Sequence, residues 1–149
     1  MITISDYFGS RMNHPQAGPG MYANADELLG RVNRLLDAAK TAGAYDDEVD
    51  PDTGTQVSGS KGGSGDGGWR PSDAMTGAPN SKHKQGKACD VYDVGNKLDD
   101  YISMFDTAND GNSLLEQMGL WREHPSATAG GWVHLQSVAP GSGKRTFQP

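Results

Sequence analysis

The stretch NSKHKQGKACDVYDV, from Asn80 to Val94, joins candidate metal ligands to a strand pattern. It places His83 and Asp90 seven positions apart, and small and polar residues stand between them in place of the apolar stripe of a buried helix. The VYDV sequence after Asp90 has the β-branched and aromatic composition of a short strand. We therefore expect Asp90 at the entrance of a strand and His83 on the tight turn before it.

The length and composition predict one small domain that spans residues 1–149. A chain of 149 residues is long enough for one modest core. Its net charge of -6, with no run of basic residues longer than Lys144-Arg145, argues against nucleic-acid binding. Its 21 glycines and low hydrophobic fraction of 34% predict a loop-rich protein whose functional groups lie on loops over a small scaffold.

Cysteine usage and the N-terminal sequence give expectations about location. The single cysteine, Cys89, cannot form an internal disulfide, and we expect it to be a small buried residue because the neighbouring Asp90 opposes thiolate formation. The first 15 residues lack a secretory signal pattern, and no segment has the roughly 20 apolar residues of a membrane span. We therefore expect a protein that is made in the cytoplasm of the cell that produces it and that does not insert into membranes.

Hydrophobic periodicity predicts an α+β fold. Apolar residues at helical spacing predict a helix over 24–42 with Asn24 as its N-cap. Its stripe is expected to pack in the core through Leu28, Val32, Leu35 and Leu36. Further helices are predicted over 97–105 and after Ser113. Short strands are predicted over 2–4 and 130–138, and residues 144–149 are either a strand or a tail. We expect a small antiparallel sheet that carries the functional site, with two or three helices packed around it.

Three residues are candidate metal ligands: His83, Asp90 and, from the predicted late strand, His134. Each alone is commonly a hydrogen-bonded or turn residue. Together they match a catalytic zinc site, which commonly has three protein ligands and one open position. Imidazole and carboxylate are both suitable zinc ligands.

Three motifs, in order along the chain, resemble those of the M15 family of zinc peptidases. They are GWRP at residues 68–71, SxHxxGxAxD at residues 81–90 and WxH at residues 132–134. The family contains D-alanyl-D-alanine carboxypeptidases and the related L-alanyl-D-glutamate endolysins of bacteriophages. The resemblance extends from about Thr55 to the C-terminus, and the single domain with an N-terminal helix is similar to the phage-encoded branch. It implies the M15 or hedgehog-like peptidase fold.

The resemblance also implies roles for individual residues. It makes His83, Asp90 and His134 the zinc ligands and makes Arg70 the partner of a substrate carboxylate or carbonyl. A guanidinium offers the planar donor fork that a carboxylate accepts. Ser81 either helps to orient a ligand and bind the substrate or caps a turn.

Other residues near the motifs have expected structural roles. Gly86 and Ala88 are expected to be small so that the backbone can curl and bring two ligands to one ion. Asp93 is expected to be a solvated turn residue, with support of a ligand as the alternative. Trp69 and Trp132 are expected to pack in the core, with the walls of the cleft as the alternative. Gln136 is a further candidate for a hydrogen bond to the substrate.

One departure from the family pattern concerns the general base. Many members carry Glu or Asp three positions before the last histidine ligand, and here that position is Gly131. Hydrolysis needs a group that accepts and donates the proton. Glu123 and His124 are the nearest titratable residues upstream, and we expect one of them to take this role, with a slight preference for His124. Loss of the base is the remaining possibility.

The resemblance thus implies a zinc-dependent peptidase that cleaves peptidoglycan stem peptides, as a D,D-carboxypeptidase or an L,D-endopeptidase. A phage protein of this kind acts either as an endolysin released through a holin-like pore or as a component of the virion, in contact with other virion proteins. The alternative is a catalytically weak or inactive M15-like module that has a structural or binding role in a phage particle, and Gly131 is the feature that favours it.

Overall fold

The computed structural model describes residues 1–59, 66–128 and 130–149. This part of the chain forms an α+β fold, as predicted. Its α-helices are α1 (Ile4–Phe8), α2 (Pro19–Thr41), α3 (Lys97–Ser103) and α4 (Ser113–Met118). Its strands are β1 (Ala88–Asp93), β2 (Asp106–Thr107), β3 (Gly111–Asn112), β4 (Trp121–Glu123), β5 (Gly131–Gln136) and β6 (Thr146–Phe147). Among the described helices, none has the length and apolarity needed to cross a membrane.

A four-stranded sheet in the order β1-β5-β4-β6 forms the scaffold. Strand β5 is antiparallel to both of its neighbours, β1 and β4. The sheet is mixed, not wholly antiparallel as predicted, because β6 runs parallel to β4. Of the two alternatives for residues 144–149, a strand or a tail, the strand is present as β6, and it runs parallel where an antiparallel sheet was expected. Strands β2 and β3 form a separate two-stranded ribbon.

Helix α2 packs its apolar stripe into the core, as its periodicity predicts. The four residues expected in the core, Leu28, Val32, Leu35 and Leu36, are all buried. The same cluster contains residues from one face of β1 and β5, namely Cys89, Val91, Val133 and Leu135. Because side chains alternate along a strand, the opposite face of β1 and β5 is left for polar side chains. The core thus fixes which face of the sheet carries the site.

Helix α2 begins five residues earlier than predicted. Its first residue is Pro19, and the N-cap is Gly18 in an extended conformation. Proline is well tolerated in the first turn because that turn has no intrahelical partner for the missing N–H. Asn24 is therefore not an N-cap. Its side-chain amide donates instead to the carbonyl of Gln85, at 2.8 Å.

The N-terminal residues form a helix and not the predicted strand over 2–4. Thr3 Oγ1 accepts a hydrogen bond from the Asp6 amide at 3.1 Å, and Asp6 Oδ2 accepts one from the Thr3 amide at 2.8 Å. This reciprocal capping box starts α1. The apolar Ile2 is buried beside α2 because its backbone amide donates to Asn33 Oδ1.

The remaining local predictions are confirmed with small changes of boundary. Helix α3 buries Leu98 and Ile102, and α4 ends at Gly119, which adopts the left-handed conformation with φ +70°. The N-cap of α4 is Asn112, one residue before the predicted Ser113. Cys89 is fully buried, as expected of a small apolar side chain.

Candidate metal centre

Three buried side chains meet on the polar face of the sheet. His83 Nε2 lies 3.3 Å from His134 Nδ1 and 3.3 Å from Asp90 Oδ1, and His134 Nδ1 lies 2.8 Å from Asp90 Oδ1. These three atoms form a small triangle, which we call the ligand triangle. The three residues are at most 9% exposed. Two imidazoles and a carboxylate that converge in this way could hold a metal ion.

Strand register brings two of the three residues together. In the antiparallel ladder between β1 and β5, Asp90 pairs directly with His134. Directly opposite residues point to the same face of a sheet and have neighbouring Cβ atoms. Asp90 is therefore the third residue of β1, inside the ladder, and not at the strand entrance as predicted.

The third residue, His83, lies on the 3-10 turn Lys82–Gln85 that precedes β1. Gly86 ends this turn with φ +69°, and a Cβ at this position would lie 3.1 Å from the carbonyl oxygen of Met21 in α2. A larger residue would thus be both strained and crowded. The hydrogen bond from Asn24 to the adjacent Gln85 carbonyl fastens the same turn to α2. The predicted tight curl between the ligands is present, and α2 explains why it needs glycine.

Backbone hydrogen bonding sets the tautomer of His83. Its Nδ1 lies 2.9 Å from the carbonyl oxygen of Gly68. A carbonyl only accepts hydrogen bonds, so Nδ1 carries the proton and Nε2 of the neutral ring presents a lone pair. That lone pair faces Asp90 Oδ1, which also presents lone pairs. The contact between these two atoms becomes favourable when a proton or a cation lies between them. The carbonyl hydrogen-bonded to the other ring nitrogen of His83 is the usual support of a histidine metal ligand.

The charges of the triangle reinforce one another. Burial alone would raise the pKa of Asp90, but its interactions with His83 and the hydrogen bond from His134 outweigh burial and hold that pKa well below its ordinary value. Burial would lower the pKa of His134, and the hydrogen bond and charge of Asp90 reverse this and raise it. Asp90 is therefore ionised over the physiological range, as a metal ligand must be.

The ligand triangle forms part of the floor of a cleft of about 590 Å³. Residues from three parts of the chain line its walls: the segment before β1, strands β4 and β5, and the C-terminal residues. They include Arg70, Ser81, Lys82, Glu123, Trp132, Gln136 and Phe147. A cleft of this size has room for several residues of a peptide, and the triangle faces into it.

Arg70 lies on the cleft wall, where the sequence motif predicted a substrate contact. Its side chain is largely buried, its Nε donates to the carbonyl of Asp66 at 2.6 Å, and its Nη2 lies 3.6 Å from Asp90 Oδ2. Asp90 thus directs one oxygen to the ligand triangle and the other to Arg70. This arrangement favours coordination through Oδ1 alone.

The two candidates for proton transfer lie in different places. Glu123 is in β4 and lines the cleft, with Oε1 4.0 Å from His134 Nε2. Continuation of the β4–β5 register, in which Trp121 pairs with Gln136, places Glu123 beside His134. His124 comes after the end of β4 and lines a separate pocket, where its Nδ1 lies 2.8 Å from Ser126 Oγ. Glu123 thus lines the cleft and His124 does not, and this geometry favours Glu123 for proton transfer.

The structure also places the other candidate residues. Ser81 lines the cleft but its side chain makes no capping bond, so the predicted alternative of a turn cap is not realised by its hydroxyl. Asp93 is buried and accepts hydrogen bonds from the amides of Leu98 and Asp99 at the start of α3, so the prediction of a solvated turn is wrong.

Of the aromatic and amide candidates, one is buried in the core and two line the cleft. Trp69 is buried, as predicted, whereas Trp132 is only partly buried and lines the cleft, against the prediction of a core residue. Gln136 lies on the cleft with Oε1 3.4 Å from His134 Nε2. Gly131 has φ +90° with no atom within 4 Å of a Cβ at that position, so it faces open space.

Sequence reasoning missed two features of the site. The carbonyl of Gly68, within the GWRP motif, supports His83, and Lys82 lines the cleft beside it. The contact of Gly68 is made by its backbone, so no side chain could predict it, but the position of Lys82 next to a predicted ligand was visible in the sequence.

Comparison of the chain with models of protein families, with curated proteins and with solved structures finds no match.

Proposed function

We propose that this protein is a zinc-dependent peptidase that cleaves peptidoglycan stem peptides. The observation that carries the proposal is the ligand triangle of His83, Asp90 and His134. In a tetrahedral site with zinc–ligand distances of about 2.0–2.1 Å, neighbouring ligand atoms lie about 3.3 Å apart. The edges of the triangle are 3.3, 3.3 and 2.8 Å, so two of them match and the third needs only a small shift.

The donor set favours zinc over the other common divalent cations. Mg²⁺ and Ca²⁺ take sets of six or more oxygens, whereas two imidazoles and one carboxylate suit zinc. Three protein donors are also the number found in catalytic zinc sites. When bound, zinc acts as a Lewis acid toward a peptide carbonyl and makes water a stronger acid at neutral pH.

Glu123 supplies the proton transfer that hydrolysis requires. Its carboxylate lines the cleft, with Oε1 4.0 Å from His134 Nε2, the ring nitrogen that is not part of the triangle. We propose that Glu123 accepts the proton of the attacking water and then gives it to the leaving amine. A base on the neighbouring strand β4 thus replaces one at Gly131, where the family pattern expects it.

The substrate class is supported by the motifs and by the lining of the cleft. The GWRP, SxHxxGxAxD and WxH motifs are those that resemble the M15 peptidases, and all three contribute residues to the cleft or its support. Arg70 brings an N–H donor fork to the wall, where a carbonyl or carboxylate of the stem peptide binds. A phage origin, as an endolysin or a virion component, follows from the same resemblance and belongs to the proposal.

Digestion of purified peptidoglycan tests the proposal. The wild-type protein, loaded with zinc, is expected to release fragments whose new amino and carboxyl ends, read by mass spectrometry, identify the bond. His83→Ala is expected to release none. Glu123→Gln is expected to lower the rate about 100-fold or more while zinc still binds.

His124→Ala is the matched control, because it removes a histidine that lies next to Glu123 in sequence but outside the cleft. It is expected to retain wild-type activity. If folded, zinc-loaded wild type releases no fragments from walls of several chemotypes, the protein is not a peptidase of this class. Binding to the same walls without cleavage would then support the alternative of a binding module.

A further inference from the structure

Two cationic side chains from the described part of the chain line the cleft, and they differ in how their charge is used. Arg70 lies between the Asp66 carbonyl and the Asp90 carboxylate, so part of its charge is already balanced inside the protein. An arginine held in this way still donates hydrogen bonds, but it contributes less attraction to an anionic substrate.

Lys82 is the second cation, and its charge is not balanced by a contact within the described part of the protein. It begins the 3-10 turn, directly before His83, and it lines the cleft. Its Nζ makes no hydrogen bond or ion pair with any residue of the described ranges. Lys84, two positions further along the same turn, differs in both respects: its Nζ donates to the carbonyls of Ser72 and Ala74, and it does not line the cleft.

The cleft also contains a negative charge that a substrate must meet. Glu123 brings a carboxylate to the wall beside His134. A substrate carboxylate in the same cleft is repelled by Glu123 unless a cation opposes it. An ammonium group on a flexible four-carbon chain suits this role because it can follow a ligand that is not held in one fixed plane.

We infer that Lys82 binds a carboxylate of the stem peptide and makes the enzyme discriminate the free acid from its carboxamide. This inference rests on the proposed function, since it assigns the preferred form of that substrate. It adds a specificity-determining residue next to a metal ligand. A carboxamide has the same shape as a carboxylate but no charge, so it loses the ionic part of the contact and keeps the rest.

The test uses synthetic stem peptides in which each carboxylate in turn is replaced by a carboxamide. For at least one position, zinc-loaded wild type is expected to favour the acid by roughly tenfold or more in kcat/KM, as expected for a contact with a charged group. Lys82→Gln is expected to bring this ratio close to one, chiefly by raising KM for the acid.

Lys87→Gln is the matched control. It removes the same charge five residues away, from a side chain that does not line the cleft and has no described hydrogen bond or ion pair. It is expected to keep both the activity and the acid preference of the wild type. Loss of the preference in Lys87→Gln as well would mean that net charge, and not a contact in the cleft, causes it, and would overturn the inference.

A binding measurement separates this inference from the proposed function. Acid and amide peptides are titrated into Glu123→Gln by calorimetry, with and without the additional change Lys82→Gln. One outcome is that the acid peptide binds more tightly than the amide only when Lys82 is present, while the wild type cleaves nothing. This outcome would refute the peptidase proposal and support the inference about Lys82. Equal affinity for acid and amide at every position, or a preference unchanged by Lys82→Gln, would overturn the inference even if cleavage occurs.

Discussion

Zinc is expected to stabilise this protein against heat, and the size of the effect follows from the ligand triangle. The three donor atoms already lie 2.8 to 3.3 Å from one another, so binding requires little movement of the folded chain. The unfolded chain does not assemble them, because 44 residues separate Asp90 from His134 in sequence. Zinc therefore binds the folded state in strong preference to the unfolded state.

The magnitude comes from the linkage between binding and folding. A ligand that binds only the folded state stabilises it by about 4 kcal/mol at a thousandfold excess over its Kd. In a domain of this size, each kcal/mol raises Tm by about 2–4 °C, so the expected shift is about 8–16 °C. His83→Ala removes one corner of the triangle, and its shift should be a small fraction of this value.

Scanning calorimetry with zinc and with a chelator measures the shift directly. His124→Ala is the control, since it removes a histidine that lies in a separate pocket, and it should show the full wild-type shift. Equal shifts in wild type and His83→Ala would refute the metal site, because zinc would then bind elsewhere. A shift near zero in wild type, with zinc binding undetectable by calorimetric titration, would refute it as well.

Two further predictions concern the scaffold. Burial raises the pKa of Asp93, although the amides of Leu98 and Asp99 donate to its carboxylate. The stabilising contribution of a carboxyl with a raised folded pKa is present below its unfolded pKa of about 3.9 and is lost as pH rises through the folded value. The stability of wild type relative to Asp93→Asn should therefore fall in urea unfolding as the pH rises above about 4, and a constant difference would contradict this assignment. Leu35→Ala, at a fully buried position of α2, should cost about 2–5 kcal/mol, whereas Arg34→Ala, on the exposed side, should change the free energy of unfolding by less than about 0.5 kcal/mol.

The sequence predicted the elements whose pattern is local. The apolar spacing of α2 identified its buried residues, since a helix repeats every 3.6 residues regardless of its partners. Its start was placed five residues too late, although Pro19 is a residue type that is favoured in a first turn. The prediction of a strand over 2–4 was also wrong, because Thr3 and Asp6 form a capping box that starts a helix. This pair of residue types at this spacing is a recognisable helix start in the sequence.

The candidate site was predicted in its residues but not in its geometry. The motif spacing identified the three candidate ligands, yet the pairing of Asp90 with His134 depends on the register between β1 and β5, which one sequence does not reveal. Which of Glu123 and His124 lines the cleft depends on where β4 ends, and the sequence alone does not show this. The parallel pairing of β6 with β4 was likewise hidden, because it depends on the path of the chain after β5.

The three metal ligands differ in the rigidity of the elements that carry them. Asp90 and His134 share a rung of the β1–β5 ladder, whereas His83 lies on a single 3-10 turn outside the sheet. Local opening of a short turn costs far less free energy than separation of two central strands. We therefore expect a bound ion to leave when this turn opens briefly. Its residence time then depends on the contacts of Gly86 and Asn24 that hold the turn against α2, and not on global unfolding.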